Sequence, residues 1–151
     1  MDLNLDFVGR RPPRCSQATA VSLKNAHKAY VIFILNQGNA ATIACSVNQC
    51  TNVAKAGSKA IPAVPTWTNL DEAAASAVTR QADAASVTTD AGLKTKRVIF
   101  EIDPSKLDTA GGFDCISVTT GASNVANITA VEVICVPVRG TGAGVQSLWL
   151  D

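Results

Sequence analysis

The chain predicts a single all-β domain, an antiparallel β-sandwich of jelly-roll-like or immunoglobulin-like type, and three observations carry that prediction. First, residues 97–139 break into three runs rich in β-branched and aromatic residues: Arg97-Val-Ile-Phe-Glu-Ile-Asp103, Phe113-Asp-Cys-Ile-Ser-Val-Thr-Thr120 and Asn127-Ile-Thr-Ala-Val-Glu-Val-Ile-Cys-Val-Pro-Val-Arg139. Such side chains pack well on a pleated, half-buried surface. Second, Pro104-Ser-Lys106, Gly111-Gly112 and Gly121-Ala-Ser-Asn124 separate the runs, and these residue types end strands. Third, the spacing of roughly a dozen residues per run leaves no room for a helical crossover, so neighbouring strands are expected to be antiparallel.

Length and composition bound the rest. A chain of 151 residues is one domain, and at this size about 68–70% of the unfolded surface is buried without any covalent staple. The net charge of +1 argues against a general binder of nucleic acid or anionic membranes, which needs a clustered basic excess. Apolar residues make up 47% of the chain but aromatics only 5%, so small β-formers dominate, as in a tight sandwich with plain loops. The first residues lack a basic stretch followed by an apolar one, so no secretory signal is expected. No apolar run nears the ~18 residues of a membrane span. Five cysteines, Cys15, Cys45, Cys50, Cys115 and Cys135, are an odd set at uneven spacing, which favours reduced thiols.

In chain order, residues 1–17 read as an arm. Arg10-Arg-Pro-Pro-Arg14 holds two prolines that forbid regular helix and remove two ladder donors. Arg10, Arg11 and Arg14 are either a basic extension onto a partner surface or a solvated tail. The sandwich spans 18–139. A short strand is expected in 18–23, followed by a strong one at 29–35, Ala-Tyr-Val-Ile-Phe-Ile-Leu. Its apolar residues occupy both faces, predicting a central strand covered on both sides. After the turn Asn36-Gln-Gly-Asn39, residues 42–48 alternate, with Ile43, Cys45 and Val47 inward; the two strands read as a hairpin. Residues 49–65 read as loop, and Trp67 as the plug of one end of the sandwich. Residues 69–78 carry alanines and a capping Asn69 or Asp71, giving either one short helix or an extended loop. Residues 84–89 offer a further strand. The chain closes with a Gly-rich linker and tail, 140–151. There Leu148, Trp149 and Leu150 are apolar enough to demand cover, which the reading assigns to a neighbouring subunit in preference to the chain's own domain.

Chemistry is sparse. The one histidine, His27, would need a nucleophile such as Ser22 or Cys15 against it, and nothing in the spacing supports that. Cys45 and Cys50 sit at the loose end of zinc-ligand spacing and would need His27 and Cys15 to complete a site. Gly140-Thr-Gly-Ala-Gly144 lacks the Lys-Ser/Thr and helix of a phosphate loop. Glu101, Asp103, Asp108, Asp114 and Glu132 are scattered over separate strands and turns, and Asn127-Ile-Thr129 is a chance glycosylation sequon. The expectation is no enzyme, no cofactor and no metal.

Residues 98–108, Val-Ile-Phe-Glu-Ile-Asp-Pro-Ser-Lys-Leu-Asp, with Gly112-Phe-Asp-Cys-Ile-Ser-Val118 and Ala126-Asn-Ile-Thr-Ala-Val-Glu-Val133, resemble the small head proteins of tailed bacteriophages. The strand at 29–35 and Thr66-Trp-Thr68 fit the same layout, so the resemblance covers about residues 18–139. It implies a β-sandwich that decorates or cements a capsid, no catalytic residues, a homo-oligomer (commonly a trimer) and the major capsid protein as partner, on the virion surface. Arg10, Arg11, Arg14, Leu148, Trp149 and Leu150 are then the candidate partner contacts. A head–tail joining protein, or a fibre-type β-module binding a receptor or carbohydrate, is the alternative.

Overall fold

The computed structural model describes residues 20–138. They form ten strands: β1 (Ala20–Ser22), β2 (Ala26–Gln37), β3 (Ala44–Cys50), β4 (Lys59–Ala60), β5 (Val64–Asn69), β6 (Thr79–Ala84), β7 (Ser86–Thr88), β8 (Thr95–Ile102), β9 (Cys115–Thr120) and β10 (Asn127–Pro137). Two antiparallel sheets result. Sheet A has the order β1-β9-β3, with β4 and β7 sharing the far edge of β3; sheet B has the order β10-β2-β8-β5-β6. The all-β antiparallel sandwich expected from the sequence is the fold.

The core follows from alternation. Along β2, Ala29, Val31, Phe33 and Leu35 are fully buried, and β8 answers with Val98, Phe100 and Ile102. From sheet A come Ile43, Cys45, Val47 and Ile116. Phe33 and Phe100 meet edge to face at 5.8 Å, the geometry the ring quadrupoles favour. The inward set on 42–48 is the one the alternation predicts.

Pairing differs from the sequence reading in an instructive way. The strands at 29–35 and 42–48 do not form a hairpin: β2 lies in sheet B and β3 in sheet A. Nor are the last three strands mutual neighbours, because β8 and β10 flank β2 while β9 lies in the other sheet. Short connectors here cross between sheets instead of turning within one, and local spacing does not distinguish the two. The β2 strand lies inside sheet B, between β10 and β8, yet is covered on one face only; Ile34 on its outer face is 38% exposed. Trp67 likewise sits half-buried on the outer face of β5, not at an end of the sandwich. Residues 70–78 form turns, not a helix: the Asn69 side chain accepts from Asp71 N and donates to Ala75 O, holding a loop with its own hydrogen bonds. In the stretch read as loop at 49–65, β4 and the start of β5 form.

Two polar clusters fix the sheet ends. Lys96 is completely buried, and its ammonium donates to Gln37 Oε1 at 2.8 Å, Asp90 O at 2.9 Å and Asp90 Oδ1 at 2.6 Å. Asn127 locks the 39–42 turn: its amide donates to Ala41 O at 2.8 Å and its carbonyl accepts from Asn39 N at 2.8 Å.

Among the described residues, the sandwich is closed on one side and open on the other. With only Ala85 between them, β6 and β7 carry the chain from sheet B, beside β5, to sheet A, beside β3. The opposite side ends in β1 on sheet A and β10 on sheet B. The described chain therefore begins and ends at the same open side.

Candidate functional site: an open sheet edge and its outer face

The candidate site is built from β10, β2 and β8. Register places the outward residues in rows across sheet B. Ala130 lies beside Ile34; Glu132 beside Ile32, then Ile99, then Trp67; Ile134 beside Tyr30; and Val136 beside Lys28. These even-numbered β2 and β10 residues point away from the core because successive side chains alternate across a strand. The result is an apolar outer face: Ile128 is 64% exposed, Ile34 38%, Ile134 37% and Val136 39%. Exposed single apolar residues are ordinary, but several on one sheet face, here set on either side of Glu132, are the kind of surface that marks an interaction site.

The charges around this face are mostly neutralised by each other. Lys28 pairs with Glu101, and Arg97 with Glu72 at 2.8 Å. The hydrogen bond from Glu101 raises the Lys28 ammonium above its ordinary value, against a smaller opposing effect of burial. Glu132, in the middle of β10, has no ion-pair partner among the described residues. At the far side of the face, the Arg80 guanidinium stands 5.1 Å from the Trp67 ring, so that ring is already stacked.

The edge itself has a direction that can be worked out. Gln37 N donates to Lys94 O at 3.1 Å, in register with the β2–β8 ladder. In an antiparallel ladder, hydrogen-bonded residues alternate. Odd residues of β2 therefore bond to β8 and even ones to β10. By the same pairing, the even residues of β10 bond to β2. The N–H and C=O groups of Thr129, Val131, Val133 and Cys135 thus point to the free edge, where no described strand pairs. Pro137, which lacks an N–H, falls at the register shift that ends the ladder, where a sheet tolerates proline.

Arg10, Arg11, Arg14, Leu148, Trp149 and Leu150 lie outside the described residues, as do Cys15 and the 140–144 glycine stretch. His27 is exposed on β2, and Ser22, the nucleophile considered for it, lies on β1 in the other sheet. Of the scattered acids, Asp103, Asp108 and Asp114 are separately engaged. Asp103 and Asp108 cap 3-10 turns, Asp108 also pairs with Lys59 at 2.6 Å, and Asp114 faces Lys24 at 3.3 Å. Among the described residues no group of three metal-ligating side chains converges. Cys45 points into the core, and burial pushes its thiol up to about 12. Cys50 instead lies opposite Cys115 in the β3–β9 register, in a small buried cluster with Ala20. An open concavity of about 680 Å³ near Asn69 and Asp90 also carries Asp71 and Lys94, and these two pair with each other.

The outer-face residues were missed as a site because an apolar pattern on both faces of 29–35 reads as two-sided burial. The signal that separates the readings is β10, whose even-numbered residues are also apolar around Glu132. No family of known proteins, no characterised protein and no solved structure matches this chain.

Proposed function

We propose that this chain is a structural virion protein, a decoration or cement protein that lies on the capsid lattice of a tailed bacteriophage and bridges its subunits. The observation that carries the reading is the outer face of sheet B, where the exposed Ile34, Ile128, Ile134 and Val136 lie on either side of Glu132 and around Ile32 and Ile99. The resemblance of residues 18–139 to small phage head proteins supplies the setting, and the major capsid protein is the partner it implies.

The energetics suit a repeated, weak contact. Fully burying an aliphatic side chain contributes about 1.5–3 kcal/mol. The four aliphatic residues above are already partly covered, so docking them contributes on the order of 3–5 kcal/mol gross per copy. Lost translational and rotational freedom offsets most of that for one isolated copy. On a lattice the same contact is repeated by linked copies, and avidity makes the layer firm without any strong single site. The resemblance further implies a homo-oligomer, with a trimer favoured, assembled in the bacterial cytoplasm and retained on the virion surface. Catalysis has no part in this reading. A sugar-binding module is disfavoured, because Trp67 is capped by Arg80.

Co-sedimentation with heads assembled from the cognate major capsid protein tests the proposal. Saturable binding at a fixed copy number, lost in Ile34→Glu while that variant stays folded, is the expected result. Folded protein that remains in the supernatant at every concentration overturns it.

A further inference from the structure

We infer that Cys50 and Cys115 form a redox-sensitive modification site, closed by a peroxide into a cross-strand disulfide that clasps β3 to β9. The inference is independent of the lattice reading: it rests on sheet A, whereas lattice binding rests on the outer face of sheet B.

The pairing comes from register. Cys50 is the last residue of β3 and Cys115 the first of β9, and the two stand directly opposite each other. Cys45 and Val47 belong to the core, so Cys50, on the opposite parity, lies on the other face of sheet A, and Cys115 shares that face. There the two side chains make a small buried cluster with Ala20, at 0% and 2% exposure. Gly121 N donates to Ala44 O at 2.8 Å, one step beyond the Cys45–Thr120 pair. Ala44 and Gly121 are thus a hydrogen-bonded pair, and stepping along the ladder in twos makes Cys50 and Cys115 one as well. Leu23 N donates to Asp114 O at 2.8 Å, which agrees: Asp114 bonds toward β1, so Cys115 bonds toward β3.

That geometry suits a bond between the sulfurs. Cα atoms of a hydrogen-bonded pair stand about 5.5 Å apart, the usual separation across a disulfide. Their Cβ atoms, about 5 Å apart, must close by about 1 Å, and at a strand end the ladder can twist to allow it. A bond made with some distortion is also the more easily reduced, so the closure is reversible. The other described cysteines do not compete. Cys45 lies on the core face of β3, and Cys135 lies on β10 in sheet B. Packed sheets stand about 10 Å apart, beyond the ~7 Å between Cα atoms that a disulfide spans.

The neighbours assign the roles. Burial raises the Cys50 thiol, while the Ser117 hydroxyl and the Lys55 charge pull it back. Burial, then the Asp114 carboxylate, push Cys115 up to about 12. Cys50 therefore supplies the thiolate. Its sulfur attacks one peroxide oxygen, the O–O bond breaks, and the departing hydroxide takes up a proton as water, leaving a sulfenic acid. Cys115 then loses its proton, its sulfur attacks the Cys50 sulfur, and the S–O bond breaks to release a second water. Two thiols give up two hydrogens and two electrons, and one peroxide becomes two waters. Because both sulfurs are buried, the first step is slow.

The test treats the folded full chain, as Cys15→Ser, with millimolar hydrogen peroxide, then quenches, unfolds and alkylates it. Four thiols are present at the start, those of Cys45, Cys50, Cys115 and Cys135. The expected result is loss of two of them over hours, a peptide joining Cys50 to Cys115, and recovery of both thiols with dithiothreitol. Before that reduction, the melting temperature should rise by about 5–15 °C, since the bond closes a long loop of the unfolded chain. Cys50→Ala and Cys115→Ala should each form no disulfide; if either fails to fold, the peptide map of the parent still decides. Four thiols surviving a day of treatment, oxidation to sulfinic acid in place of a disulfide, a disulfide through Cys45 or Cys135, or a disulfide with no rise in melting temperature overturns the inference.

Discussion

Removing Gln37 should destabilise the fold more than removing the buried charge it serves. Lys96 is entirely excluded from solvent and directs its ammonium at Gln37 Oε1 and two oxygens of Asp90. All three of its donors are used. Gln37 Oε1 also accepts from Thr89 Oγ1 at 3.1 Å, while its amide donates to Ala41 O and Asp90 O. In Gln37→Leu the ammonium stays buried with one acceptor missing, at about 1.5–3 kcal/mol for a bond to a charged group. The Thr89 hydroxyl loses its acceptor as well, adding about 1–2 kcal/mol. Ala41 O keeps donors from Asn127 and Ser123, so no further orphan arises. The sum is about 3–5 kcal/mol. Lys96→Met, by contrast, removes the charge and keeps a chain of similar length. Gln37 Oε1 retains Thr89, Asp90 O retains the Gln37 amide, and the Asp90 carboxylate is 54% exposed, so water replaces the ion pair. The desolvation of the ammonium disappears too, and the net cost is about 0–2 kcal/mol. In the double variant the orphaned ammonium is gone, so it should be more stable than Gln37→Leu alone. Urea denaturation at 25 °C with a common m-value measures all three. A Gln37→Leu cost below about 1 kcal/mol, or Lys96→Met costing more than Gln37→Leu, refutes the reasoning.

Further outcomes follow from the same geometry. Phe33→Ala should cost about 3–5 kcal/mol in thermal or urea unfolding, because the ring is fully buried against Phe100. Asn127→Ala should cost about 1–3 kcal/mol by releasing the 39–42 turn, while Asn48→Ala, whose side-chain bond to Thr119 is 3.4 Å and exposed, should change stability by less than about 0.5 kcal/mol. With Cys15 replaced by Ser, the folded chain should react with a thiol reagent at pH 8 only slowly. Burial holds the Cys45 and Cys115 thiols up to about 12 and raises Cys50 and Cys135 as well, and the thiolate is the reactive form. Full reaction within seconds in native buffer would contradict it. Asp71, Asp90, Asp103, Asp108 and Asp114 are all held below the ordinary 3.8, chiefly by hydrogen bonds from Lys94, Lys96, Ser105, Lys59 and Cys115 respectively. A depressed folded pKa gives stability that is present above the unfolded value and lost as pH falls through the folded one. The melting temperature should therefore hold steady across pH 5–7 and drop below about pH 4.

The fold class and the inward faces were legible because alternation is a local signal. Ile43, Cys45 and Val47 are spaced two apart, and burying one requires burying all. Pairing was not legible, since nothing in the spacing of β8, β9 and β10 tells a turn within a sheet from a crossing between sheets. The 69–78 stretch shows a second limit. Its alanines favour helix, but Asn69 and Asp71 satisfy the backbone as turns and win over propensity. The outer face was legible only in hindsight of topology. Ile32 and Ile34 look like core residues until β2 is known to have a partner sheet on one side alone. Lys96 shows the converse: in the stretch Lys94-Thr-Lys-Arg97 it reads as an exposed charge, and only the fold brings Gln37 and Asp90 together as the acceptors that let it be buried.

The most direct test of the central claim is head co-sedimentation of the full chain beside Ile34→Glu and Ile128→Glu, with melting curves measured on the same samples. The account predicts saturable, fixed-ratio binding by the full chain and loss of binding by both face variants, with melting temperatures within a few degrees of the parent. Equal binding by the face variants, or no binding by the folded parent, would contradict it.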